Sequence, residues 1–296
     1  MPFPTTLVES RADLVPLLEV QNIDEIGRKA LDNLWSQGYV MYAGLSPEDL
    51  EEVTVISNQE DVREYALRDS TERFVNQESG IAWHASKGGR APFLLKPIKV
   101  PAVFGYSWTG FESKPSPEKA QADPELHHFI ERYPGTSAFR LDPRARGKHI
   151  ARLLAIATVS ATRALYVPDI EIGLESWASN VRAIGAYKGA DAEIVLVRDT
   201  MRPTQQSTIW PDGVRPDVRF RWNRMVPEIG DESWASDQET TQRFISLGAQ
   251  LVRLTNHVRL LEPGEDTPQY INRKGERQRP DTRVFMGFPS PLQLAA

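Results

Sequence analysis

The chain has 296 residues, 40% hydrophobic and 25% charged, with seven tryptophans; this is the profile of one large or two ordinary globular domains and excludes a disordered or fibrous protein. A formal net charge of -5 excludes a nucleic-acid binder that works by bulk charge. A count of zero cysteines excludes a disulfide framework, a thiolate nucleophile and a zinc-thiolate site, and fits a cytoplasmic location.

The first residues lack a basic start followed by an apolar run, so no signal peptide is expected, and no window reaches the roughly 18 apolar residues of a membrane span. Residues 1–50 read as a helical N-terminal arm: Ile26, Ala30, Leu31 and Leu34 have helical spacing, Gly38 stands where a C-terminal cap would fall, and 39–42 reads as a short strand. Ser46, Pro47, Glu48 and Asp49 supply a cap, a first-turn proline and first-turn acids for a second helix. The β-branched run Val53, Thr54, Val55, Ile56 reads as a strand, and 58–76 as a helix with Val62, Tyr65, Phe74 and Val75 on its apolar face. Residues 81–86, 93–96 and 102–112 read as strands of an antiparallel meander divided by Gly88, Gly89, Pro97 and Pro101. An exposed loop over 113–123 leads to a short helix over 124–132.

An extended segment over 137–141 then runs into a basic turn, Arg144, Ala145, Arg146, Gly147, Lys148, His149, which opens a helix with Ile150, Leu153, Leu154, Ala157, Ala161 and Leu165 on one face. A strand over 169–174, a helix over 180–188 and a strand over 192–197 follow. Farther on, 218–226 reads as a half-solvated strand, 241–261 as a long amphipathic helix and 282–288 as a last strand. The turn carries the chemistry. Unpaired N–H groups and the positive end of a helix dipole converge on an anion there, Gly147 lets the backbone approach it, and Arg144, Arg146 and Lys148 add charge.

Elsewhere the signals are weaker. His127 and His128 are adjacent, and His84 and His257 are isolated, so no metal site is expected. Trp83, Tyr106, Trp108 and Phe111 read as strand aromatics that either pack the core or line an acceptor pocket. Two basic stretches, Arg219, Arg221, Arg224 and Arg273, Lys274, Arg277, Arg279, lie beside Trp222 and Tyr270. They offer phosphate contact and stacking to a nucleic acid, or are solvated faces balanced by Glu228, Asp231, Glu265 and Asp266.

The order of strand, Arg-x-x-Gly turn, helix, strand, then Asn180-x-x-Ala183-x-x-x-Tyr187 resembles the GNAT superfamily of acyl-CoA N-acyltransferases. The resemblance covers about 53–226 in element order and is specific in motif over 139–190. It implies an α/β (α+β) domain over 51–226 with a mixed, mostly antiparallel central sheet and helices on both faces. The arm 1–50 and a C-terminal extension, 227–296, with the long helix and terminal strand, would flank it. Acetyl-CoA is the implied acyl donor, with no metal. Arg144 and Gly147 take the first and fourth positions of the pyrophosphate turn, joined by Arg146, Lys148, His149 and Ile150. Phe139 and Leu141 offer backbone groups to the pantetheine arm, and Asn180 either bonds that arm or caps its helix.

By the same resemblance Tyr187 is the acid for the CoA thiolate, its other reading being a helix aromatic packed on the sheet. The strand before the turn supplies no carboxylate, so Glu112 or Glu175 is the base, directly or through water. The sixth turn position is His149 where the family has Gly or Ala, and Tyr187 is followed by Lys188, Gly189 and Ala190 rather than a Gly-Phe pair. The expected reaction is direct transfer of an acetyl group to a primary amine, because the chain has neither a cysteine nor a serine elbow. The acceptor is a small molecule or a macromolecule. Two alternatives stay open: acylation of a nucleic-acid or aminoacyl-RNA amino group docked on the C-terminal basic stretches, and a catalytically degenerate domain that only binds a partner. An oligomer is compatible with all three.

Overall fold

The computed structural model describes residues 7–66, 68–86, 89–111, 115–177, 180–203, 270–271 and 277–290. They divide into two compact units, Met1–Leu174 with Gly185–Ala192 and Gly287–Ala296, and Glu175–Ile184 with Glu193–Met286. In chain order the first unit holds β1 (Val15–Pro16), α1 (Glu25–Ser36), β2 (Tyr39–Ala43), α2 (Pro47–Ser57), α3 (Glu60–Tyr65), a π-helical turn (Asp69–Arg73) and α4 (Gln77–Ala85). Then come β3 (Arg90–Pro97), β4 (Gly105–Phe111), α5 (Pro117–Ala122), α6 (Pro124–Arg132), β5 (Gly135–Leu141), α7 (Ile150–Leu165) and β6 (Ile172–Trp177). The helix α8 (Val181–Gly189) follows, and β6 and α8 each have one end in either unit.

In the first unit the strand order is β1-β2-β3-β4-β5-β6. Every neighbouring pair is antiparallel except β5 with β6, so the sheet is mixed and mostly antiparallel. Strand alternation decides what covers each face. On β4, Ser107 and Thr109 point to α7, where their hydroxyls bond Thr158 at 2.6 Å and Thr162 at 3.0 Å. Tyr106 and Trp108 point the other way, into a core with Leu50, Val53 and Ile56 of α2 and with Phe74. Helices therefore cover both faces, as the resemblance implied.

Several expectations are corrected here. Residues 53–56 are the last turns of α2, not a strand. Ser46 caps that helix by accepting the Asp49 N–H at 3.2 Å, and Leu50, Val53 and Ile56 are buried at helical spacing, so packing overrides β-branched propensity. Residues 81–86 fall in or just after α4, which starts at a reciprocal capping box between Asn76 and Ser79, so Trp83 stands on a helix. The helix expected over 58–76 breaks after Tyr65 into the π-helical turn, and the loop over 113–123 contains α5. Within the first 50 residues, β2 is bonded along β3 over Tyr39–Ala43, and Asp24, the cap residue of α1, accepts the Ser160 hydroxyl of α7 at 3.0 Å.

The second unit contains β7 (Glu193–Pro203), β8 (Tyr270–Ile271) and all but the last two residues of β9 (Arg277–Phe288), with β9 lying between the end of β6 and β7 and pairing antiparallel with β8. The long helix expected over 241–261 and the strand expected over 218–226 lie outside the described residues. Among the described residues no helix is long and apolar enough to cross a membrane.

Candidate functional site

The register of β5 determines which of its backbone groups are available. Asp142 donates its N–H to Phe104 O at 3.0 Å, which fixes Arg140 opposite Tyr106 and Ala138 opposite Trp108 as hydrogen-bonded pairs. The alternate residues Ser137, Phe139 and Leu141 consequently turn their N–H and C=O groups to the other edge. Gly135 on that edge donates to Glu171 O at 3.0 Å, and the parallel ladder with β6 covers Gly135↔Ile172 and Thr136↔Gly173 and then stops. From Ser137 onward β5 runs five more residues out of register with β6. Residues 136–140 are half-buried there, whereas the facing part of β4 is buried. The two residues named from sequence for the pantetheine arm, Phe139 and Leu141, both lie on this open edge.

Three side chains meet that edge. Tyr187 of α8 is 5% exposed, and its ring meets the Phe139 ring at 4.9 Å and 59°. The Phe139 backbone N–H lies near the Tyr187 oxygen. Burial pushes the Tyr187 hydroxyl up to about 12, against the opposing pulls of the Arg140 charge and the Phe139 N–H, so it stays protonated at neutral pH. Arg140 donates from Nη1 to Phe139 O at 2.7 Å, and Arg146 donates from Nη2 to Leu141 O at 3.3 Å while pairing with Asp61.

Past the edge, Asp142 builds the turn. Its carboxylate accepts the Arg144 N–H at 2.9 Å, Nε at 2.7 Å and Nη2 at 3.0 Å. The Arg144 guanidinium also lies 4.2 Å from the Phe104 ring centroid. The Arg144 side chain holds the Asp142 carboxyl below its ordinary value and is itself raised by the bond. Gly147, Lys148 and His149 follow with φ of 92°, 48° and 61°, three left-handed residues in a row. An added Cβ at Gly147 would meet nothing within 4 Å, so backbone conformation, not crowding, favours glycine there. His149 itself adopts the left-handed backbone with its ring exposed.

No side chain caps α7, a 16-residue helix that begins at Ile150 directly after this turn. The Ile150 N–H turns back to Gly147 O at 3.1 Å, and the remaining first-turn donors and the dipole are left without a side-chain cap beside exposed Lys148. Uncapped donors, a left-handed backbone and local positive charge fit a diphosphate group.

On the α4 face of the sheet, beside Ala138, an aromatic cluster unites Phe74, Trp83, His84, Tyr106 and Trp108. His84 Nε2 and the Tyr106 hydroxyl are 2.6 Å apart, and burial, then the Arg90 charge, pushes His84 down to about 3, so it is neutral. Asp69, 2% exposed in the π-helical turn, pairs with Arg73 at 3.0 Å and with Arg140 Nε at 2.6 Å. Asp69 was not anticipated from sequence. Its i,i+4 spacing to Arg73 was the available sign.

The remaining candidates are placed less centrally. Glu175 stands 50% exposed on β6 and pairs with Arg283 at 3.2 Å. Asn180 Oδ1 accepts the Ala183 N–H at 3.3 Å, which is helix capping. Glu112, Arg219, Arg221, Arg224, Arg273 and Lys274 lie outside the described residues. Among the described residues no three His, Cys, Asp or Glu gather as a metal site would need.

No protein-family model and no curated protein matches the chain. Solved structures do. A putative acetyltransferase from Salmonella typhimurium with its cofactor acetyl-CoA is similar at 16% identity and a TM-score of 0.37, over 56% of this chain and 83% of that one. Spermidine N-acetyltransferase from Vibrio cholerae, in complex with CoA and spermine, is similar at 16% identity and a TM-score of 0.40, over 54% and 83%. An uncharacterized protein from Bacillus halodurans is similar at 12% identity and a TM-score of 0.41, over 54% and 77%.

Proposed function

We propose that the protein is an N-acetyltransferase that moves an acetyl group from acetyl-CoA directly to a primary amine. The observation that carries the reading is the β5 edge released from β6 at Ser137, with the Phe139 N–H and the Tyr187 hydroxyl in contact. An extended chain of amides can add to such an edge in the manner of a strand once it takes over the Phe139 and Leu141 carbonyls from Arg140 and Arg146. The turn at Gly147 and the first donors of α7 then hold the diphosphate at one end. Acetyl-CoA supplies an activated acyl carbon as a thioester. The Phe139 N–H is placed to hydrogen-bond the developing oxyanion, and Tyr187, kept protonated by burial, donates to the departing sulfur. The new C–N bond forms as the C–S bond breaks, and the amine's proton leaves to water or a carboxylate. The domain assigned to this chemistry is 51–226, completed by β2.

The test is thermal. Acetyl-CoA at about 100 times its dissociation constant raises stability by roughly 2.7 kcal/mol, and Gly147→Asp with Arg144→Ala should abolish the rise. A wild-type protein whose melting temperature ignores millimolar acetyl-CoA would sink the reading.

A further inference from the structure

The α4 face beside the candidate thioester edge is positively charged. Arg140 spans the two: its Nη1 bonds Phe139 O at 2.7 Å, while Nε and Nη2 reach Asp69 at 2.6 and 2.5 Å. Arg73 reaches the other Asp69 oxygen at 3.0 Å, so two guanidinium groups share one carboxylate and the trio keeps one positive charge. A third guanidinium, Arg90, lies 3.9 Å from the Trp83 centroid and 5.6 Å from that of Trp108. The neighbouring His84 and Tyr106 are neutral.

The trio is shaped by an unusual local backbone. Phe74 donates to Asp69 O at 2.6 Å across five residues, the π-helical turn that puts Asp69 and Arg73 on one side, and such turns are frequent at functional sites. Arg140 is fixed on Asp69 with a side chain 16% exposed, whereas Arg73 keeps 30% of its side chain exposed and lies 5.3 Å from the Trp83 ring centroid. Arg73 is thus the member free to exchange part of its contact with Asp69 for an incoming anion.

From this arrangement we infer that the acceptor amine carries an anionic group, a carboxylate or a phosphate, held by Arg73 with Arg140 between it and the reacting edge. The inference rests on the acyltransferase reading above. A positive field at the reacting centre also favours the unprotonated amine, the form that attacks, and disfavours polycationic acceptors.

The test measures CoA release from acetyl-CoA with matched acceptors: L-phenylalanine against L-phenylalaninamide for the carboxylate, phosphoethanolamine against ethanolamine for the phosphate, and spermidine and kanamycin as cationic probes. At least one anionic member should exceed its neutral partner in kcat/KM by about tenfold or more, and the pair that responds identifies the anion. Arg73→Gln should raise the KM for that acceptor about tenfold with kcat nearly unchanged and the acetyl-CoA melting shift retained, and Arg73→Lys should recover part of the loss. Equal rates within both pairs, turnover only of the cationic probes, or no turnover of any anionic probe while acetyl-CoA still raises the melting temperature overturns this inference alone. Loss of the acetyl-CoA shift in the wild type overturns the acyltransferase reading and this one with it.

Discussion

Replacing Tyr187 by Phe removes one oxygen and leaves the ring, so the packing against Phe139 at 4.9 Å survives and the hydroxyl's role is isolated. On the stability side the variant loses the polar contact of the hydroxyl near the Phe139 N–H, worth at most about 1 kcal/mol net. For a domain of some 150–250 residues that lowers the melting temperature by about 2–4 °C. On the catalytic side, losing a general acid costs about 10²–10⁴ in rate, or roughly 3–5 kcal/mol of barrier. The second effect is several times the first, so activity should collapse in a protein that still folds. CoA thiol release can be followed with a chromogenic disulfide at no background from the protein, because the chain has zero cysteines. The expected result is a kcat lowered about a hundredfold or more with the acetyl-CoA melting shift retained. A variant whose kcat stays within about threefold of wild type would falsify the assignment of Tyr187 as the acid.

Gly147→Val forces a β-branched residue to a φ of 92° and should destabilise the fold by about 1–2 kcal/mol, while weakening the acetyl-CoA melting shift by more than that loss explains. Arg140→Leu leaves Asp69 buried with one partner in place of two; urea unfolding should show a loss of about 3 kcal/mol, and adding Asp69→Asn should return part of it. Tyr187, pushed up by burial to about 12, stabilises the fold in full below its unfolded value near 10 and loses that contribution as pH rises from there towards 12. Urea midpoints should therefore fall from about pH 9 upward, less steeply in Tyr187→Phe, and identical slopes in the two proteins would contradict the buried hydroxyl.

The stretch from β5 to α8 was legible because each element there is decided locally. A strand, a glycine that must take positive φ and a helix with an apolar face are all written in neighbouring residues. The Tyr187 position could be read for the same reason, ten residues after β6 ends and on a short helix. Legibility failed where distant packing chose the structure. Val53 and Ile56 look like a strand in isolation and are helical because α2 buries them beside Phe74 and Tyr106. Trp83 reads as a strand residue for the same reason, although Asn76 and Ser79 carry the capping signal. Asp69 and Arg140 lie 71 residues apart, and nothing local to either announces the pair. The side on which Phe139 presents its backbone depends on the register with β4, which a single strand does not encode.

The open edge of β5 also bears on solubility. A strand that leaves its neighbour after two residue pairs exposes unpaired donors and acceptors, the template on which a second chain would add and aggregate. Here the Tyr187 ring packs on Phe139, and Arg140 and Arg146 take the carbonyls of Phe139 and Leu141. Two of these stoppers are cationic, so a foreign strand meets charge as well as occupied hydrogen bonds. Their removal should appear first as concentration-dependent self-association, before any loss of secondary structure.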